Sequence, residues 1–121
     1  MSEENSKRGR AARNKGRNGE IELKNRLNEL LGTDTVKRGY VFLHQSDCVG
    51  LQGIHIECKR AEKLNVSLAY KQAVNEAQKR SDGIPAVFHR KNREPWLVTM
   101  SLEDWVKLYE KWLDKDIQNN S

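Results

Sequence analysis

The chain has 121 residues, of which 36% are hydrophobic and 32% charged, and a net charge of +5. That length holds one domain with a small two-layer core, and no run approaches the ~18 apolar residues of a membrane span. The polar, basic start reads against a secretory signal. Cys48 and Cys58 are too few for a disulfide framework or a four-ligand zinc site. The expected setting is therefore reducing and cytoplasmic.

Charge is unevenly spread. Lys7, Arg8, Arg10, Arg13, Lys15 and Arg17 face only Glu3 and Glu4, so four of the five net positive charges lie in residues 1–18. Residues 1–13 are poor in apolar side chains and read as a flexible basic arm ahead of a single domain over 14–113. Such an arm suits the phosphates of nucleic acid through counterion release; a plain solubilising tail is the competing reading. Leu23, Leu27, Leu30 and Leu31 then predict an amphipathic helix from about Arg17 to Leu31, stopped at Gly32. Val36 to Phe42 reads as a strand, followed by the polar break His44-Gln45-Ser46-Asp47. Asp47 to Gly50 and Ile54 to Arg60 read as two strands around a turn. A second helix is expected from Asn65 or Val66 to Arg80, with Asn65 as N-cap and Tyr70, Ala73 and Ala77 inward. Ala86–Arg90 and Trp96–Met100 are two more strands. Ser101 opens a last helix, with Asp104 three residues on and Trp105, Leu108, Tyr109 and Trp112 at helical spacing. Those aromatics are expected in the core, and residues 114–121 as a frayed polar tail. The order is α-β-β-β-α-β-β-α: an α/β fold with a mixed central sheet flanked by helices.

The chemistry concentrates around Ile54–Lys59. Strand alternation sends Ile54, Ile56 and Cys58 to one face and His55, Glu57 and Lys59 to the other. If Leu51-Gln52-Gly53 is a three-residue hairpin loop with Gly53 left-handed, Asp47 falls opposite Glu57, with Cβ atoms about 4.5–5.5 Å apart. A register one residue different would turn Asp47 to the other face. Two carboxylates that close repel unless a cation lies between them, and an oxygen-only site suits Mg²⁺ or Mn²⁺ rather than zinc. Glu20 lies on the arc of Leu23, Leu27 and Leu31, where burial is costly without a partner. A solvated carboxylate at the helix start is the alternative. An ordinary solvent-facing pair is likewise the alternative for Glu57 and Lys59. His44, His55 and His89 show no metal-ligand spacing; His55 is either a DNA contact or a surface histidine.

Gly19-Glu20, then Asp47, nine residues, and Glu57-Cys58-Lys59 resemble the PD-(D/E)xK nuclease superfamily. Lys37-Arg38-Gly39, Gln45-Ser46-Asp47, Gly53 to Arg60 and Val87 to Asn92 narrow the likeness to small archaeal-type Holliday junction resolvases and their phage-encoded relatives. It spans roughly residues 14–110. Ser46 stands where the superfamily's name has proline. The resemblance implies a restriction-endonuclease-like α-β-β-β-α-β core with an extra C-terminal helix. It implies Mg²⁺-dependent (or Mn²⁺-dependent) hydrolysis of DNA phosphodiesters, in branched or junction DNA first. Asp47 and Glu57 would hold the metal with the backbone carbonyl of Cys58, Lys59 would position water, and Glu20 would sit behind as an outer ligand or orienting group. Lys37, Arg38, Gln45, Ser46, Arg60 and Gln72 would contact DNA or support the site, together with the arm residues Lys7, Arg8, Arg10 and Arg13. Cutting two strands needs two sites, so a homodimer is expected, and no membrane partner. Three other readings stay open: a nuclease for nicks, flaps or ends, a nuclease fold that binds DNA without cutting, and an RNA-binding or interaction protein.

Overall fold

The computed structural model describes the backbone of residues 3–119 and the side chains of 16–116 apart from residue 41. Three helices and five short strands follow the expected order. α1 runs Glu3–Leu31, β1 Lys37–Arg38, β2 Cys48–Val49, β3 Ile54–Arg60, α2 Val66–Arg80, β4 Ile84–Arg90, β5 Leu97–Thr99 and α3 Leu102–Asn119. The sheet order is β1-β2-β3-β4-β5. Only β3 and β4 are parallel, and α2 makes the crossover that a parallel pair needs. Among the described residues, no helix is long and apolar enough to cross a membrane.

Each sheet face has its own helix. Leu23 of α1 packs with Val36, Cys48, Ile56, Ala86 and Phe88, and Leu27, Cys58, Trp96 and Met100 border them. On the opposite face, Ala69 and Ala73 of α2 meet Val87, with Leu64 and Tyr70 alongside. Small alanines let α2 lie close to the strands while leaving its flank polar. Asn65 caps it as expected, its side chain accepting from the Leu68 amide at 3.0 Å. α1 is tied to the sheet by Asn28, whose amide group donates to the Val36 carbonyl and accepts from the Val36 amide, both at 2.9 Å. Asn28 thus pairs with Val36 as a neighbouring strand would.

Several expectations need correction. α1 starts at Glu3, so the backbone expected as a flexible arm is helical from there. Its Arg, Lys, Glu and Ala content favours that conformation. The side chains of Lys7, Arg8, Arg10 and Arg13 lie outside the described residues. Leu30 and Leu31, in the last turn of α1, are exposed. The strand expected over Val36–Phe42 shrinks to β1, followed by a 3-10 turn at Val41–Leu43. α3 reaches Asn119 instead of fraying at Asp114. Most consequentially, Trp105, Tyr109 and Trp112 are exposed, not core. Helical spacing reveals an apolar face without revealing what covers it.

Gly19 sets the approach of α1 to β3. A Cβ there would stand 2.6 Å from the Cβ of Arg60, an atom fixed to the strand backbone. Gly19→Ala would gain about 1 kcal/mol of helix propensity, yet the overlap forces α1 and β3 apart. The expected outcome in urea unfolding is a net loss of about 1–2 kcal/mol.

Candidate active site

Asp47 is placed by its backbone. The Gly39 amide donates to the Asp47 carbonyl at 2.9 Å. A Cβ on Gly39 would overlap the Ser46 carbonyl oxygen, so only glycine lets β1 lie this close. The Ser46 hydroxyl donates to the Cys48 carbonyl at 2.7 Å, and the Gln45 side-chain oxygen accepts from the Tyr40 amide at 3.0 Å. Both side chains expected on DNA therefore brace the turn into β2. Gly53 stands at φ 80°, and the Ile54 amide donates to Leu51 at 3.1 Å. The hairpin pairs Cys48 with Ile56, and Asp47 thereby falls opposite Glu57.

The Cys58 amide donates to Asp47 Oδ2 at 2.8 Å. In a strand the N–H and C=O of one residue point to the same side, so the Cys58 carbonyl opens beside that carboxylate. Glu57 is buried. His55, fully buried, lies between two acids: Nε2 is 3.1 Å from Glu57 Oε1, and Nδ1 is 2.8 Å from Asp82 Oδ1. An ionised carboxylate only accepts, and a neutral imidazole donates only once, so the imidazolium alone satisfies both partners. Burial works against that charge, but the hydrogen bonds to Glu57 and Asp82 outweigh it and raise the His55 pKa.

Asp47 and Glu57 divide one proton unequally. Burial, then the charge of Glu57, pushes Asp47 up to about 7. Burial also opposes the charge of Glu57, but hydrogen bonds with His55 and Asp47 and the charge of Lys59 hold its pKa below the usual value. Nearby acids are neutralised by arginine. Glu20 takes Arg38 at 3.1 Å, Glu76 takes Arg80 at 3.1 Å, and Glu22 takes Arg60 and Arg90. Among the described residues, no arginine or lysine comes within ion-pair distance of Asp47 or Glu57. Lys59 lies on their face and is half-buried, with no ion pair among the described residues.

A cleft of about 420 Å³ opens over this pair, lined by Ser46, Asp47, His55, Glu57 and, from α2, Gln72, Glu76 and Arg80. Gln72 is thus where the sequence reading put it. Glu20 is not in that lining; it sits within α1, paired with Arg38, though its charge contributes to the rise at Asp47. Arg38 and Arg60, expected on DNA, are committed inside the protein, Arg60 also reaching Asn92 at 2.8 Å. Lys37 is exposed on the outermost strand β1. Sequence reasoning missed Asp82 and Arg80. Asp82 was hidden in the helix-ending Ser81-Asp82-Gly83, and His55, two residues before Glu57 on one strand face, was the available signal. Among the described residues, no group of three His, Cys, Asp or Glu side chains gathers as a metal centre. Comparisons with family models, with curated proteins and with solved structures give no match.

The shared proton fixes the sign of the pH dependence without divalent cations. Between about pH 4 and pH 7 the folded protein keeps a proton on Asp47 that the unfolded chain has released, so stability falls as pH rises through that window. His55 adds loss of the same sign above its ordinary value near 6.5. Thermal unfolding from about pH 5 to about pH 8 should show a steeper decline in Tm for the wild type than for Asp47→Asn.

Proposed function

We propose that the protein is a Mg²⁺- or Mn²⁺-dependent DNA endonuclease of the PD-(D/E)xK kind, acting on branched DNA as a junction resolvase and working as a homodimer. The observation that carries this reading is the half-buried Asp47 facing the buried Glu57 across a hairpin, with no arginine or lysine bridging them among the described residues and Lys59 on the same face. Two carboxylates and the Cys58 carbonyl form an oxygen-only donor set. The remaining coordination would fall to water and phosphate oxygens, as Mg²⁺ prefers. That chemistry fits the cation, and the proton on Asp47 is what its binding would displace. When bound, such a cation supplies Lewis acidity and acidifies water.

The chain's own residues do the rest. His55, anchored on Asp82, fixes the orientation of Glu57. The Cys58 amide fixes Asp47. Lys59 brings a positive charge to the side where a phosphoryl oxygen and the attacking water would lie, in a reaction that asks chiefly for positioning and charge neutralisation. Gln72 and Arg80 offer polar contacts from the α2 wall. The basic residues concentrated in residues 1–18 would hold the phosphate backbone without reading bases, and action on intracellular DNA fits the cytoplasmic expectation.

The test is cleavage of a labelled four-way junction beside linear duplex, splayed-arm and single-stranded DNA, with and without Mg²⁺ or Mn²⁺. Paired, metal-dependent junction cuts are expected, slowed at least about 100-fold in both Glu57→Ala and Lys59→Ala while binding persists. Cutting of the other forms with the same variant pattern would keep the nuclease and discard the junction. Tight binding with no cutting of any form would replace the enzyme by a DNA-binding module.

A further inference from the structure

The turn between β1 and β2 carries an exposed aromatic pair beside a basic cleft. Tyr40 is 55% exposed and Phe42 77%, with ring centroids 5.4 Å apart at 46°. The turn that carries them is closed on itself. The Leu43 amide donates to the Tyr40 carbonyl at 3.0 Å and the Gln45 amide to the same carbonyl at 3.3 Å, while the Tyr40 amide donates to Gln45 Oε1 at 3.0 Å. His44 bends the chain in the left-handed region at φ 54°. From α2, the Arg80 guanidinium donates to the Gln45 carbonyl. A braced backbone thus holds both rings out in water, away from either core cluster.

A cleft of about 410 Å³ opens at Tyr40, between Lys24 of α1, Lys37 and Arg38 of β1, and Leu43 and Gln45 of the turn. That volume is in the range of a small-molecule site. Among the described residues, its lining contains no acid. Glu20, one turn before Lys24 on α1, is engaged with Arg38 at 3.1 Å. Asp34, ahead of β1, is exposed and is not in the lining, and Asp47 lines the other cleft. Lys24 and Lys37 have no ion pair among the described residues. Two ammonium groups beside aromatic rings suit a partner that is anionic at one end and a flat π-system at the other. A nucleotide is both, with its phosphate for the lysines and its base for the rings.

We infer that this turn and cleft hold one unpaired nucleotide of a DNA strand, its base stacked on Tyr40 and Phe42 and its phosphate between Lys24 and Lys37. The choice of DNA rests on the nuclease reading of Asp47 and Glu57. The two clefts adjoin: Gln45 lines this one, and Ser46 and Asp47 line the one over the acids. Two residues of chain span at most about 7 Å, and stacked nucleotides follow one another at about 3.4 Å. A strand with a phosphate at Asp47 therefore reaches the rings within a nucleotide or two. In an unbroken duplex both faces of each base are covered by its neighbours, and stacking on a protein ring first requires unstacking. At a branch or in a single-stranded arm a base face is already free. The subsite thereby favours branched and unpaired DNA over unbroken duplex without reading sequence, since every base has a π-face.

Fluorescence anisotropy without divalent cations tests this on the full chain, using labelled splayed-arm DNA and an unbroken duplex, with far-UV circular dichroism as the folding control. The wild type should bind the splayed arm more tightly. Tyr40→Ala and Phe42→Ala should each weaken splayed-arm binding about tenfold and leave duplex binding within about twofold, while Phe42→Trp keeps the wild-type preference. The Lys24→Ala/Lys37→Ala double variant should bind the splayed arm more weakly and flatten the log–log salt slope by about 0.7 for each lysine. Equal losses on both DNA forms, or aromatic variants that bind the splayed arm as the wild type does, overturn the subsite whether or not the protein cuts DNA. An unchanged salt slope in the lysine variant overturns the phosphate placement. Splayed-arm preference with this variant pattern, in a protein that cuts no DNA when Mg²⁺ or Mn²⁺ is added, supports the subsite and overturns the nuclease reading alone.

Discussion

Two acids face each other across a hairpin, and the surrounding structure is arranged around their repulsion. Asp47, half-buried, and Glu57, buried, are directly opposed in register and without an arginine or lysine partner among the described residues. The repulsion is met in two ways. Asp47 keeps a proton up to about pH 7, and a buried His55, itself neutralised by Asp82, hydrogen-bonds Glu57. A fold shaped only for stability would put a hydrophobic pair or an arginine there, as this chain does for Glu20, Glu22 and Glu76.

The pair is held by backbone rather than by long side chains. Gly39 lets β1 come close enough to bond the Asp47 carbonyl, and Cys58 returns its amide to the Asp47 carboxylate. Gly19 lets α1 lie against β3 at Arg60, and Asn28 closes the corner at Val36. α2 then forms the far wall of the cleft, its alanines on the sheet and Gln72, Glu76 and Arg80 toward the acids. α1 and α2 therefore each act on the site through a close approach that a larger side chain would spoil.

Much of this was legible in the sequence, for local reasons. β3 shows its two faces by alternation, α2 shows its cap at Asn65, and the left-handed Gly53 fixes the register that opposes Asp47 to Glu57. What escaped depends on contacts distant in the chain. Nothing near Glu20 announces Arg38, and nothing in Ser81-Asp82-Gly83 announces a bond to His55. The basic segment is ambiguous by composition, since Arg and Lys serve a helix as readily as a free arm. α3 is the sharpest case. Its apolar period is plain, yet burial is a property of what packs on it, and no other described element packs closely along this helix.

A divalent cation bound between Asp47 and Glu57 would displace the proton that the pair holds. Calorimetric titration with Mn²⁺, in two buffers of different ionisation heat, counts the protons released on binding. Near pH 6, release of about one proton per site is expected, falling toward none above about pH 8, with no release from Asp47→Asn. Binding without proton release near pH 6, or no binding in the wild type at any pH, would contradict it.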